Sequence, residues 1–134
     1  MSDRSRKAIS APSAIAVGPY SHAVEADHVV YCSGQTPIDP ASGELAAGGI
    51  GVRTNQCFDN LFAVLSAAAL TPDDVVKVNV FLTDMADFAE MNEAYAKRFS
   101  EPFPARTTIG VASLPLGADV EIELVARRAT RSEG

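Results

Sequence analysis

The chain has 134 residues, 47% of them apolar and 21% charged, which is the make-up of one ordinary globular domain. Seventeen acids against eleven Lys and Arg give a formal charge of −6, which repels phosphate backbones and makes nucleic acid a poor partner. There is no uncharged apolar run of membrane-spanning length, and the polar opening MSDRSRKAIS has no apolar stretch behind it, so neither a membrane helix nor a secretory signal is expected.

Residues 1–10 and 129–134 read as loose ends of a single domain. HAVEADHVVYCSG reads as a hairpin, with Val24 before a turn at Ala26-Asp27 and a β-rich run over 29–33. TPIDPASGEL is dense in turn formers and reads as a loop, with Glu44 and Leu45 as a short strand at its end. The spacing of Cys57, Leu61, Val64, Leu65 and Ala68 predicts a helix over 52–69, whose polar face near its start carries Arg53, Asn55, Gln56, Asp59 and Asn60. Thr71-Pro72-Asp73-Asp74 is a helical start with room for only one turn. A strand over 75–83 follows, where Val76, Val78, Val80 and Leu82 alternate with Lys77, Asn79, Phe81 and Thr83. A second helix opens at Asp87, with Glu90 completing a capping-box-like pair. Phe88, Met91, Tyr95 and Phe99 form its apolar face, and Pro102 and Pro104 end it. Strands over 105–111 and 119–127 close the chain, joined by a turn at Pro115 and Gly117; Val120, Ile122 and Leu124 face one way, Glu121, Glu123 and Val125 the other. The class is therefore α+β, a largely antiparallel sheet with two helices on one face. Its other face must meet solvent or another copy, and the apolar residues on both faces of 75–83 favour another copy.

Cys32 and Cys57 have no metal-ligand or CxxC spacing, and His22 and His28 lie near neither; two buried thiols in a reducing compartment are expected, with no metal. Arg127, Arg128 and Arg131 read as a solvated basic tail. Arg106 stands at the head of an apolar strand. It is either half of a structural ion pair with an acid such as Glu121, or a planar fork for a carboxylate. Glu121, between apolar neighbours, is either a solvent-facing sheet residue or a general base. Tyr20 in the turn Gly18-Pro19-Tyr20-Ser21 can pack locally or offer its hydroxyl to a ligand. Gly34, in Ser33-Gly34-Gln35, permits a bulge or a close backbone approach. Asn92 lies one position from the apolar stripe of the second helix.

Taken together, GPYSHAV, VVYCSGQTPIDPASGEL, NQCFDNLFAVLSAAAL, VVKVNVFLTDMADFAEMNEAY, FPARTTIGVASLP and VEIELVA resemble the Rid (reactive intermediate deaminase) family, also called YjgF or L-PSP, over about residues 8–128. The resemblance implies a chorismate-mutase-like fold and a cytoplasmic homotrimer with clefts between subunits, needing no cofactor. It matches Arg106 to the arginine that grips the substrate carboxylate and Glu121 to the acid that positions water, with Tyr20, Ser33, Gly34 and Asn92 around the ligand. Thr108 departs from the pattern, because well-known deaminase members have cysteine there. The implied reaction hydrolyses enamines or imines of 2-amino acids to 2-keto acids and ammonia. The alternatives are an endoribonuclease of the L-PSP branch, a 2-keto-acid-binding sensor or chaperone without turnover, and a deaminase for aminomuconate or a peroxy-aminoacrylate.

Overall fold

The computed structural model describes residues 6–12 and 18–129. Six strands form one sheet in the order β1 (Lys7–Ile9), β2 (Ala23–Ala26), β3 (Val29–Gln35), β8 (Val120–Arg127), β6 (Val75–Leu82) and β7 (Ala105–Gly110). Every pairing is antiparallel except β6 with β7. That parallel step is forced by α2 (Phe88–Ala96), which carries the chain back to the start of the sheet between them. The first helix, α1 (Ile50–Ala67), packs with α2 and against β8 and β3. Their apolar stripes meet Val78, Val80, Leu82, Val120, Ile122 and Leu124, none more than 2% exposed. Phe58, Tyr95 and Phe99 pack edge-on or tilted in the same core. The α+β class and the placing of both helices on one face hold.

Several expectations are corrected. Lys7–Ile9 is not a loose end: it pairs with β2 and buries Ile9, supplying partners to an otherwise open strand edge. Of those ends, residues 1–5 and 130–134 lie outside the described residues, and so do 13–17 between them. The first hairpin turns at Asp27-His28, one residue later than expected. Both have positive φ, 50° and 69°, the pair of left-handed positions whose twist matches the flanking strands. TPIDPASGEL is a second small hairpin, in which β4 (Ile38–Asp39) pairs with β5 (Glu44–Leu45). Asn60 is not on a wet face, because its amide donates to the carbonyls of Ile38 (2.9 Å) and Thr36 (3.3 Å) and fastens this hairpin to α1. Val76 leaves the alternation of β6 through a bulge between Val75 and Lys77 and is exposed. Asp87 and Glu90 form no capping box; Glu90 instead accepts from the Gly51 N–H at the start of α1 (3.2 Å), and Asp84 accepts from Ala86. Arg128 is no solvated tail, since it forms a two-pronged pair with Glu25 (2.9 and 3.0 Å). Both cysteines are buried, and burial pushes the Cys32 thiol up to about 12 and the Cys57 thiol well above its ordinary value, so neither is a ready thiolate. No helix among the described residues is long and apolar enough to cross a membrane.

Candidate functional site

The residues singled out from the sequence separate into two groups, and the sheet register explains why. Glu121 pairs with Phe81, and Phe81 with Ile109, so these three share the face away from the helices. Arg106 pairs with Val78 and Thr108 with Val80, both fully buried under the helices, so Arg106 and Thr108 lie on the helix side at the open edge strand β7. Within one chain, therefore, the base candidate and the carboxylate fork face opposite ways. The ion pair between Arg106 and Glu121 that the sequence allowed is absent among the described residues.

The first group surrounds Glu121. A cavity of about 430 Å³ is lined by Tyr20, Ser33, Gly34, Leu116, Glu121 and Glu123, among others. Its floor is made by a bulge: Cys32 pairs with Leu124 and Gln35 with Ile122, so β3 spends one more residue than β8. The bulge is at Ser33-Gly34. A Cβ on Gly34 would stand 2.9 Å from Glu121 Oε2, so glycine is what lets the carboxylate lie against the strand. The Ser33 hydroxyl donates to the Ser21 carbonyl (2.7 Å) and the Ser33 N–H to the His22 carbonyl (2.9 Å), which ties the Tyr20 turn to the bulge. Leaving water raises the Glu121 carboxyl above its ordinary value, and the neighbouring Glu123 adds to this. Glu123 is itself held by the Asn79 amide at 2.9 Å. Glu123 was missed as a site residue, although strand alternation already put it on the Glu121 side.

The second group surrounds Arg106, in a shallow cavity of about 470 Å³ with Asn92, Tyr95, Ala96, Phe103 and Pro104. Among the described residues the guanidinium has no hydrogen bond or ion pair. Its contacts are the rings of Tyr95, 4.7 Å to the centroid, and Phe88, 5.6 Å. Asn92 Oδ1, Tyr95 Oη and Thr108 Oγ1 are buried without a partner among the described residues. Phe88 and Tyr95 were read as core-facing only; their seven-residue spacing, two turns of helix, was the available sign that they could flank one group. No three His, Cys, Asp or Glu among the described residues are placed to hold a metal.

The described residues thus form an α+β domain with an arginine free of any acid on the helix side of the sheet and a desolvated glutamate on the opposite face. The family model for endoribonuclease L-PSP matches residues 9–128, and the chain belongs to this family, which is also called Rid or YjgF. The chain is 46% identical over 127 residues, 94% of each chain, to a mouse protein named 2-iminobutanoate/2-iminopropanoate deaminase. It is 42% identical to the mitochondrial protein mmf1 of Schizosaccharomyces pombe, over 88% of this chain and 74% of that one. The crystal structure of Escherichia coli TdcF with bound serine superposes with a TM-score of 0.87 at 37% identity, covering 92% of this chain and 99% of that one.

Proposed function

We propose that the chain hydrolyses imines of small 2-amino acids, and the enamines that tautomerise to them, giving a 2-keto acid and ammonia. The observation that carries this reading is an arginine fork left free of any acid, set apart from a carboxylate raised by desolvation. The names of the relatives point the same way, and serine, bound in the E. coli neighbour, is itself a small 2-amino acid. Since Arg106 and Glu121 occupy opposite faces, they act together only when Arg106 of one copy meets Glu121 of the next. A homotrimer with three such clefts is the assembly we propose, formed over the sheet face where Tyr31 and Ile109 are exposed.

In that cleft Arg106 receives the substrate carboxylate through two parallel hydrogen bonds and so fixes the C=N carbon. A water against Glu121 attacks this carbon as Glu121 takes its proton. Attack moves the C=N electron pair onto nitrogen, which takes that proton back from the Glu121 carboxyl to give the neutral carbinolamine. The Glu121 carboxylate then takes the hydroxyl proton and passes it to nitrogen as the C–N bond breaks, leaving the ketone and ammonia. One water is consumed, and no oxidant or cofactor is required. Thr108, where well-known deaminase members carry cysteine, offers a hydroxyl on the Arg106 side and leaves this sequence of proton transfers unchanged. The compartment proposed is the cytoplasm.

The test is competition for imines. An amino-acid oxidase generates 2-imino acids, semicarbazide traps them, and the protein competes with the trap. Wild type is expected to suppress the trapped signal and Arg106→Ala to leave it intact. No suppression by wild type with leucine-, methionine- and alanine-derived imines would end the generic deaminase reading. The family's other name marks the rival: RNA binding that weakens steeply with salt would support it, against a net charge of −6.

A further inference from the structure

Arg106 is long, flexible and only half buried, yet a fork that reads a carboxylate has to be aimed before the ligand arrives. An arginine is ordinarily aimed by an acid, which would also consume its charge and its N–H groups. Here the aiming is done differently. Phe88 and Tyr95 lie seven residues apart on α2, a separation of about 10 Å along a helix axis, and the guanidinium carbon is 5.6 Å from one ring centroid and 4.7 Å from the other. The group therefore lies between two rings presented by the same helix face. Ring faces attract the cation without taking up its N–H donors. Tyr95 cannot easily move: it is 5% exposed and packs against Phe58 and Phe99 with centroids 5.5 and 5.1 Å apart.

We propose that Tyr95 and Phe88 are positioning residues for the carboxylate fork, a two-ring clamp on α2 that holds the Arg106 guanidinium in place while leaving its hydrogen-bonding edge open to the ligand. Tyr95, the nearer and more rigid ring, is the fixed jaw. This rests on the deaminase reading for its consequence in turnover, while the clamp itself can be observed without any turnover. The clamp acts through the ring and not the hydroxyl, so phenylalanine replaces tyrosine at this position. It binds ground state and transition state alike, so its loss appears in KM and in the affinity for a 2-keto acid more than in kcat.

The experiment has two readouts on wild type, Tyr95→Phe, Tyr95→Leu and Phe88→Leu, with thermal melting to confirm folding. Phe88→Leu is included because Phe88 is only partly buried, so it serves if Tyr95→Leu does not fold. The first readout is the Arg106 Nε–Hε NMR resonance, assigned by its absence in Arg106→Ala. It should be shifted upfield by the rings in wild type and Tyr95→Phe, and return toward the free-arginine position in both leucine variants. The second is KM for a 2-imino acid beside the affinity for 2-oxobutanoate. Both should weaken about fivefold in the leucine variants, with kcat within about twofold, and stay near wild type in Tyr95→Phe. An unshifted wild-type resonance overturns the clamp. So does a folded leucine variant with unchanged KM and affinity, or a Tyr95→Phe as impaired as Tyr95→Leu. A shifted resonance in a wild type that neither turns over imines nor binds 2-oxobutanoate keeps the geometry but overturns both the positioning role and the deaminase reading.

Discussion

The two halves of the site are built by opposite means. Around Glu121 the backbone does the shaping: a bulge in β3, a glycine with no room for a Cβ, and a turn fastened by the Ser33 hydroxyl bring a carboxylate against a strand and out of water. Around Arg106 the backbone is a plain edge strand, and the shaping is left to side chains of α2. A base gains from desolvation, which raises its affinity for protons, whereas a fork gains from being held with its charge unspent. The difference teaches that the Glu121 half should be sensitive to backbone-level changes and to pH, and the Arg106 half to the loss of rings and charge.

The largest effect that sharpens this contrast is expected from Glu121→Gln. It keeps the shape but removes the proton acceptor, and should lower kcat about a hundredfold. In wild type the acid limb of kcat/KM should lie above the ordinary glutamate range, because burial raises this carboxyl, and the limb should vanish in Glu121→Gln. A wild-type limb at or below pH 4.5, the ordinary value, would contradict the desolvated base. Next comes Gly34→Ala. Its new Cβ must displace the Glu121 carboxylate, so kcat should fall about tenfold while the affinity for a 2-keto acid, set by the other half, changes little. An equal loss in both would mean that the halves are not separable.

Smaller effects appear in stability, and two glutamates should move oppositely. Glu121 is raised in the folded state, so its ionisation opposes folding. That cost is absent below the unfolded value and fully present once pH exceeds the folded one. Glu25 is lowered by its two-pronged hydrogen bond to Arg128, so it stabilises above the unfolded value, and the gain is lost as pH falls through the folded one. At pH 7 Glu121→Gln should therefore raise the melting temperature and Glu25→Gln lower it, each by a few degrees at most, roughly. At a pH below both pairs of values the two shifts should disappear. Matching signs at pH 7 would show that Glu121 is not the strained member of the pair.

Much of this was legible in the sequence, and the parts that were not share a physical cause. Helical spacing placed α1 within two residues and the start of α2 within one, but α2 ends at Ala96, so Phe99 joins the core from beyond the helix and the prolines do not mark its end. Period-two alternation assigned both faces of β8 correctly, because each is a local consequence of one buried surface. Asn60, Glu90 and Arg128 were misread because their partners lie 22, 39 and 103 residues away, beyond any local pattern. Arg106 and Glu121 could be named, but their separation onto opposite faces needed the register of three strands, in which Phe81 aligns Glu121 with Ile109 rather than with Arg106. Phe88 and Tyr95 were visible as an apolar stripe, and only the position of β7 against α2 shows that the stripe also flanks a cation.

The claim on which the rest depends is that the two halves meet between copies of the chain, and subunit mixing tests it most directly. Arg106→Ala and Glu121→Gln proteins, each inactive alone, are unfolded together in equal amounts, refolded, and assayed for imine hydrolysis. If every site takes Arg106 from one copy and Glu121 from its neighbour, random assembly restores about a quarter of wild-type activity, since one cleft in four then joins two intact residues. If both residues had to come from one chain, no mixture would contain an intact site; a refolded mixture as inactive as its two components would contradict the shared cleft.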